Sequence, residues 1–190
     1  MKELLVVEKP QIKLRNYLKK NLNMRAKIRV LGIDPGYDRL GISLIEEDTS
    51  SPQLIYSECF RTDKNKEETE RLFLIGEKLK EILKKWQPDE SALEKLFFAT
   101  NQKTAIGVAK TVGIISYVLR GSNVPLYFYS PSEIKTAIVS HGRADKRDVH
   151  LMVSRLIELP QRKMLDDEVD SIAIALTHLA GRKYRRLRGE

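Results

Sequence analysis

Val30-Leu-Gly-Ile-Asp-Pro-Gly36 decides how this chain folds. Val30, Leu31 and Ile33 are apolar and strand-favouring, and Pro35-Gly36 breaks the strand directly after Asp34. A strand that delivers a carboxylate to its tip and then turns sharply holds that side chain on a rigid support. Catalytic carboxylates need such support, because metal geometry tolerates little slack. Taken alone, the stretch reads equally well as an ordinary Asp-Pro-Gly turn. Its meaning depends on what else in the chain converges on Asp34.

Downstream, residues 40–46 alternate apolar Leu40, Ile42 and Leu44 with small or polar neighbours, which predicts a second strand. The short connection from residues 28–34 pairs the two as an antiparallel hairpin. A turn-rich stretch at 48–52 leads into a third strand at 54–61. Residues 66–86 form an amphipathic helix, with Leu72, Ile75, Leu79, Ile82, Leu83 and Trp86 on one stripe and Pro88 as its stop. Residues 92–98 read as a fourth strand carrying Glu94 and Lys95. Residues 101–119 read as a helix whose Ala105, Gly107, Ala109 and Gly113 permit close approach to a sheet. A fifth strand at 124–129 is followed by a helix opened by Ser130 as N-cap and Pro131 in its first position. After a polar break at 141–145 come helices at 146–159, ended by Pro160, and at 166–180. This order, β-β-β-α-β-α-β-α-α-α, predicts an α/β domain: a five-stranded mixed sheet with helices on both faces.

Composition narrows the function class. With 190 residues, 42% hydrophobic and 32% charged, the chain suits one domain with a real core and a charged surface. The net charge of +8 points to a polyanionic partner, but it is concentrated at the ends. Residues 1–27 hold eight Lys/Arg against two Asp/Glu, residues 181–190 five against one, and the body 21 against 23. Residues 1–27 are therefore expected to lie outside the fold, as an upstream extension before Met24 or as a basic arm for nucleic acid. Residues 181–190 read as a basic tail. The single cysteine, Cys59, excludes an internal disulfide and reads as a core filler in a reducing, cytoplasmic setting. No apolar run approaches the length of a membrane span.

Three acidic features could meet. Asp34 ends the first strand, and Glu94 sits within an otherwise apolar fourth strand, where an acid is costly without a partner or cation. Asp167 and Asp170 share a face in the first turn of the last helix, and so do Asp166 and Asp170. The plain alternative for these is dipole-complementing helix caps, and for Glu94 an edge-strand acid facing solvent. If the acids converge, their repulsion calls for hard divalent cations, Mg²⁺ or Mn²⁺. Two such ions roughly 3.5–4 Å apart would activate a water and stabilise the leaving oxygen in phosphodiester cleavage.

With these motifs in place the chain resembles the RuvC family of Holliday-junction resolvases over about residues 28–180. Residues 30–36 with Leu40-Gly-Ile beyond look like the family's first motif. Leu93-Glu-Lys-Leu-Phe-Phe-Ala-Thr-Asn101 looks like its second, and Asp167-Glu-Val-Asp170-Ser-Ile-Ala-Ile-Ala-Leu-Thr-His178 like its third. The resemblance implies an RNase H-like fold and a homodimer. It also implies Mg²⁺-dependent nicking of two symmetric strands of a four-way DNA junction, with two ions per site, and a branch-migration helicase complex as partner. It assigns the metal ligands to Asp34, Glu94, Asp167 and Asp170, which fixes the register in the last motif. Phe97 matches an aromatic stacking near the junction centre, and Lys135 and Lys146 match basic residues beside the scissile phosphate. Lys103, Lys110, Arg143 and Arg147 are further candidate DNA contacts. Of the histidines, His178 reads as packed or surface, His141 as a loop residue facing DNA or solvent, and His150 has no assigned role. Competing readings are a non-catalytic or RNA-processing relative of the same fold and an actin-like ATPase. The ATPase reading would need a second phosphate-binding glycine motif and about twice the length.

Overall fold

The computed structural model describes residues 27–48, 51–96, 102–140 and 144–188. Its elements are β1 (Ile28–Asp34), β2 (Arg39–Glu47), β3 (Pro52–Arg61), α1 (Glu68–Trp86), β4 (Glu90–Glu94), α2 (Gln102–Gly121), β5 (Leu126–Tyr129), α3 (Pro131–Val139), α4 (Lys146–Leu156) and α5 (Asp166–Arg188). The strands form one sheet in the order β3-β2-β1-β4-β5. The first three pair antiparallel, while β4 runs parallel to both β1 and β5. This is the mixed five-stranded sheet that the strand pattern predicts.

The two-residue period of β1 sorts its side chains between two cores. Leu31 and Ile33 join Leu40, Ile42 and Leu44 of β2 under α1 and α2, against Ile75, Leu79, Ile115 and Leu119. Val30, Ile45 and Ala92 face the other way, against Ile134, Val149, Val153, Ile172 and Ala175 of α3, α4 and α5. Each fully buried Leu or Ile contributes about 1.5–3 kcal/mol. By the same alternation Asp34 and Glu94 both fall on the α5 side. Ile33 is paired with Leu93, so the two acids end neighbouring parallel strands.

Two glycines let α5 lie on bare strand backbone. A Cβ on Gly32 would stand 2.1 Å from the Ser171 carbonyl oxygen, and one on Gly41 1.9 Å from that of Asp167. This close approach brings the first turns of α5 to the tip of β1.

Several boundaries differ from the sequence expectation. β4 ends at Glu94, so this acid stands at a strand tip and not inside an apolar strand. α4 stops at Leu156 because Ile157 is already extended. α5 runs on past Ala180 to Arg188, through the stretch expected as a tail. The basic residues there suit a helix C-terminus, where positive charge is favoured. Ser130 caps α3 with a full capping box to Glu133, and Asp145 caps α4 with Asp148. Cys59 is half-buried on β3 beside Asp167, not in a core. No helix among the described residues is long and apolar enough to cross a membrane.

Candidate active site

The loop after Asp34 is clamped from below. Gly36 N–H donates to the Asp34 carbonyl at 3.0 Å, closing the turn. Arg71 of α1 is buried and stacks its guanidinium 3.8 Å above the Tyr37 ring. It also donates to the Asp38 carboxylate, the Tyr37 carbonyl and the Thr62 hydroxyl. Such a network fixes the loop that follows β1. The signal was present in the sequence: Arg71 stands four residues before Ile75 and eight before Leu79, on the apolar stripe.

Around Asp34 several carboxylates act on one another electrostatically. Burial pushes the Asp34 carboxyl up to about 8, and the charges of Asp170, Glu94 and Asp167 add to the shift while Lys146 opposes it. Glu94 is raised by burial and then by Asp170, with Lys146 and Lys135 opposing. Asp166 sits in the same first turn of α5 as Asp167. It turns outward, 65% exposed, toward Lys146.

Basic groups flank the cluster on both sides. Lys146 reaches Asp170 Oδ2 at 2.9 Å and Asp166 at 3.5 Å, and its own pKa is raised because that pairing outweighs burial. A cavity of about 280 Å³ opens beside it, lined by Glu94, Lys135, Lys146 and Asp170 over an apolar floor of Ile134 and Val149. On the opposite side Arg39 Nε stands 3.2 Å from Asp167 Oδ2. His150 Nε2 stands 3.0 Å from Asp170 Oδ1, a contact that residue spacing alone did not single out.

Other expected residues lie elsewhere. Lys110 pairs with Glu68 of α1 and is not drawn to the acids. Arg147 is exposed on α4. Phe97, Arg143, His141 and the side chain of Lys103 lie outside the described residues, as does nearly all of 1–27. His178 is fully buried, bonded through Nδ1 to the Tyr129 hydroxyl at 2.8 Å and through Nε2 to Glu90 at 2.6 Å.

The donor set is all carboxylate oxygen, which suits a hard divalent cation. As placed, no three acidic, histidine or cysteine groups among the described residues are drawn into a finished metal cage.

The mixed sheet, with an acid at the tip of its central strand and α5 packed across it, defines the ribonuclease H-like class. The family model for crossover junction endodeoxyribonuclease RuvC matches residues 30–178. The chain belongs to the RuvC family. It is 36% identical over 163 residues to the crossover junction endodeoxyribonuclease RuvC of Thermotoga maritima, covering 86% of this chain and 97% of that protein. It is 38% identical to that of Petrotoga mobilis, covering 78% of this chain and 91% of that one. The structure of T. thermophilus RuvC in complex with Holliday junction substrate superposes with a TM-score of 0.78 at 30% identity, covering 83% of this chain and 96% of that chain. The family is one of metal-dependent nucleases.

Proposed function

We propose that this chain resolves Holliday junctions, nicking two symmetric strands of four-way DNA with Asp34, Glu94, Asp167 and Asp170 as metal ligands. The observation that supports the reading is that Asp34 and Glu94 end neighbouring parallel strands on the face α5 covers, where the charges of Asp170, Glu94 and Asp167 add to the upward shift of the Asp34 carboxyl. Bound Mg²⁺, with Mn²⁺ as substitute and two ions per site, would lower the pKa of a water and stabilise the leaving oxygen.

The protein's own groups do the rest. Asp34 and Glu94 sit on strand tips, which hold their carboxylates rigidly. Asp167 and Asp170 ride on α5, whose position is set by Gly32 and Gly41. Lys135 and Lys146 stand at the cavity rim, where they can hold a non-bridging phosphate oxygen and stabilise the charge that develops on it. A homodimer would set two such sites against the two equivalent phosphates of a two-fold junction. A helicase complex that moves the branch point would supply the substrate, and Phe97 would stack near the junction centre.

The test is Asp34→Asn on a synthetic four-way junction with Mg²⁺. Binding retained with symmetric nicking abolished supports the reading. Nicking at the wild-type rate overturns it.

A further inference from the structure

His150 touches the acid cluster, yet none of the chemistry above uses it. Its Nε2 stands 3.0 Å from Asp170 Oδ1, while Lys146 Nζ stands 2.9 Å from Oδ2. The two residues are four apart on α4 and share one face. Together they engage both oxygens of a single carboxylate. A carboxylate only accepts, so His150 Nε2 carries the hydrogen and donates it.

The two partners differ in kind. Lys146 is a long, flexible chain, 54% exposed, and divides its ammonium between Asp170 and Asp166. His150 is shorter, 25% exposed, and makes one polar contact among the described residues. Lys146 is the partner able to leave, and His150 the one built to stay.

We infer that His150 is a positioning residue for the metal site: its Nε2–H pins Asp170 Oδ1 and leaves Oδ2 as the oxygen offered to a divalent cation once Lys146 swings to a phosphate. Groups that hold a ligand's second atom orient it, and their loss typically weakens metal affinity about 10–100-fold. The inference rests on the metal-site reading proposed above and adds a residue to it.

The experiment is calorimetric titration of the full chain with Mn²⁺, without DNA, for wild type, Asp170→Asn, His150→Ala, His150→Gln and His150→Asn. His150→Ala is expected to weaken Mn²⁺ binding about tenfold. His150→Gln places an N–H at the reach of Nε2 and is expected to restore affinity to within about threefold of wild type. His150→Asn places its N–H at the position of Nδ1 and is expected to stay weak. A merely structural tie between α4 and α5 would not separate Gln from Asn in this way. If His150→Ala does not fold, as judged by circular dichroism in chelator, the Gln–Asn contrast still decides. Wild-type affinity in His150→Ala, or equal affinity in His150→Gln and His150→Asn, overturns the inference while leaving the metal site standing. A wild-type chain that binds no Mn²⁺, or an Asp170→Asn that binds it as well, overturns the metal-site reading itself.

Discussion

Gly41→Ala is the substitution that most directly tests how the fold places the chemistry. A Cβ at this position would lie 1.9 Å from the Asp167 carbonyl oxygen, 2.5 Å from its carbon and 3.1 Å from Asp34 Cβ. Real Cβ contacts essentially never fall under 3.0 Å, so the first turn of α5 must retreat by more than 1 Å. No flexible side-chain end is available to yield, because the obstacle is backbone. Overpacking of this kind costs about 1–3 kcal/mol, which a domain holding roughly 5–15 kcal/mol survives. A misplacement of about 1 Å in a catalytic group costs on the order of 100-fold in rate. Single-turnover nicking of a synthetic junction in Mg²⁺ and urea unfolding read the two effects separately. Gly113→Ala is the control, since a Cβ there meets nothing within 4 Å. On an exposed helix position it should be neutral or stabilise by up to about 1 kcal/mol. Gly41→Ala nicking at the wild-type rate with an unchanged urea midpoint would refute the claim that bare backbone at Gly41 sets the site.

Three further outcomes follow from the same geometry. Saturating Mg²⁺ should raise the unfolding free energy of wild type, by about 2.7 kcal/mol at 100-fold over its dissociation constant, and chelator should remove the gain; Asp34→Asn should lose most of it, as thermal melts will show. Burial works against ionised Glu90, but hydrogen bonds from His178 and Arg182 outweigh it and hold its pKa below the ordinary 4.5. A lowered folded-state pKa means the stabilisation is fully present above the unfolded value near 4.5 and is lost as pH falls through the folded pKa. Glu90→Gln should therefore cost about 2 kcal/mol at pH 7, and the deficit should shrink in denaturation curves taken progressively below pH 4.5. Lys135→Gln should reduce the slope of log affinity against log salt for junction binding by about 0.9, the signature of one phosphate contact.

Much of this was legible in the residues because local pattern and tertiary role agree. Alternation in β1 and β2 fixes which side chains face α5, and the Asp-Pro-Gly turn fixes where the strand ends. Glu94 was harder: the apolar residues after it suggested a longer strand, while pairing with β5 is lost beyond Tyr129. α5 continues through Gly181 into the stretch read as a basic tail, since helices tolerate one glycine at a cost of about 1 kcal/mol. His150 stayed hidden because its partner lies twenty residues away, on another helix. The spacing to Lys146 was the available clue, since any residue four from a site lysine shares its helix face. Arg71 is masked by its charge: it occupies a buried position of the α1 stripe that apolar periodicity alone does not mark.

The central claim is that Asp34, Glu94, Asp167 and Asp170 form one cage for divalent ions. Anomalous diffraction from crystals of the full chain soaked in Mn²⁺ tests it directly. Manganese within about 2.0–2.3 Å of an Asp34 oxygen, with Glu94 and Asp170 as further ligands, is the predicted result. Manganese bound at another place on a protein that still nicks junctions would contradict it.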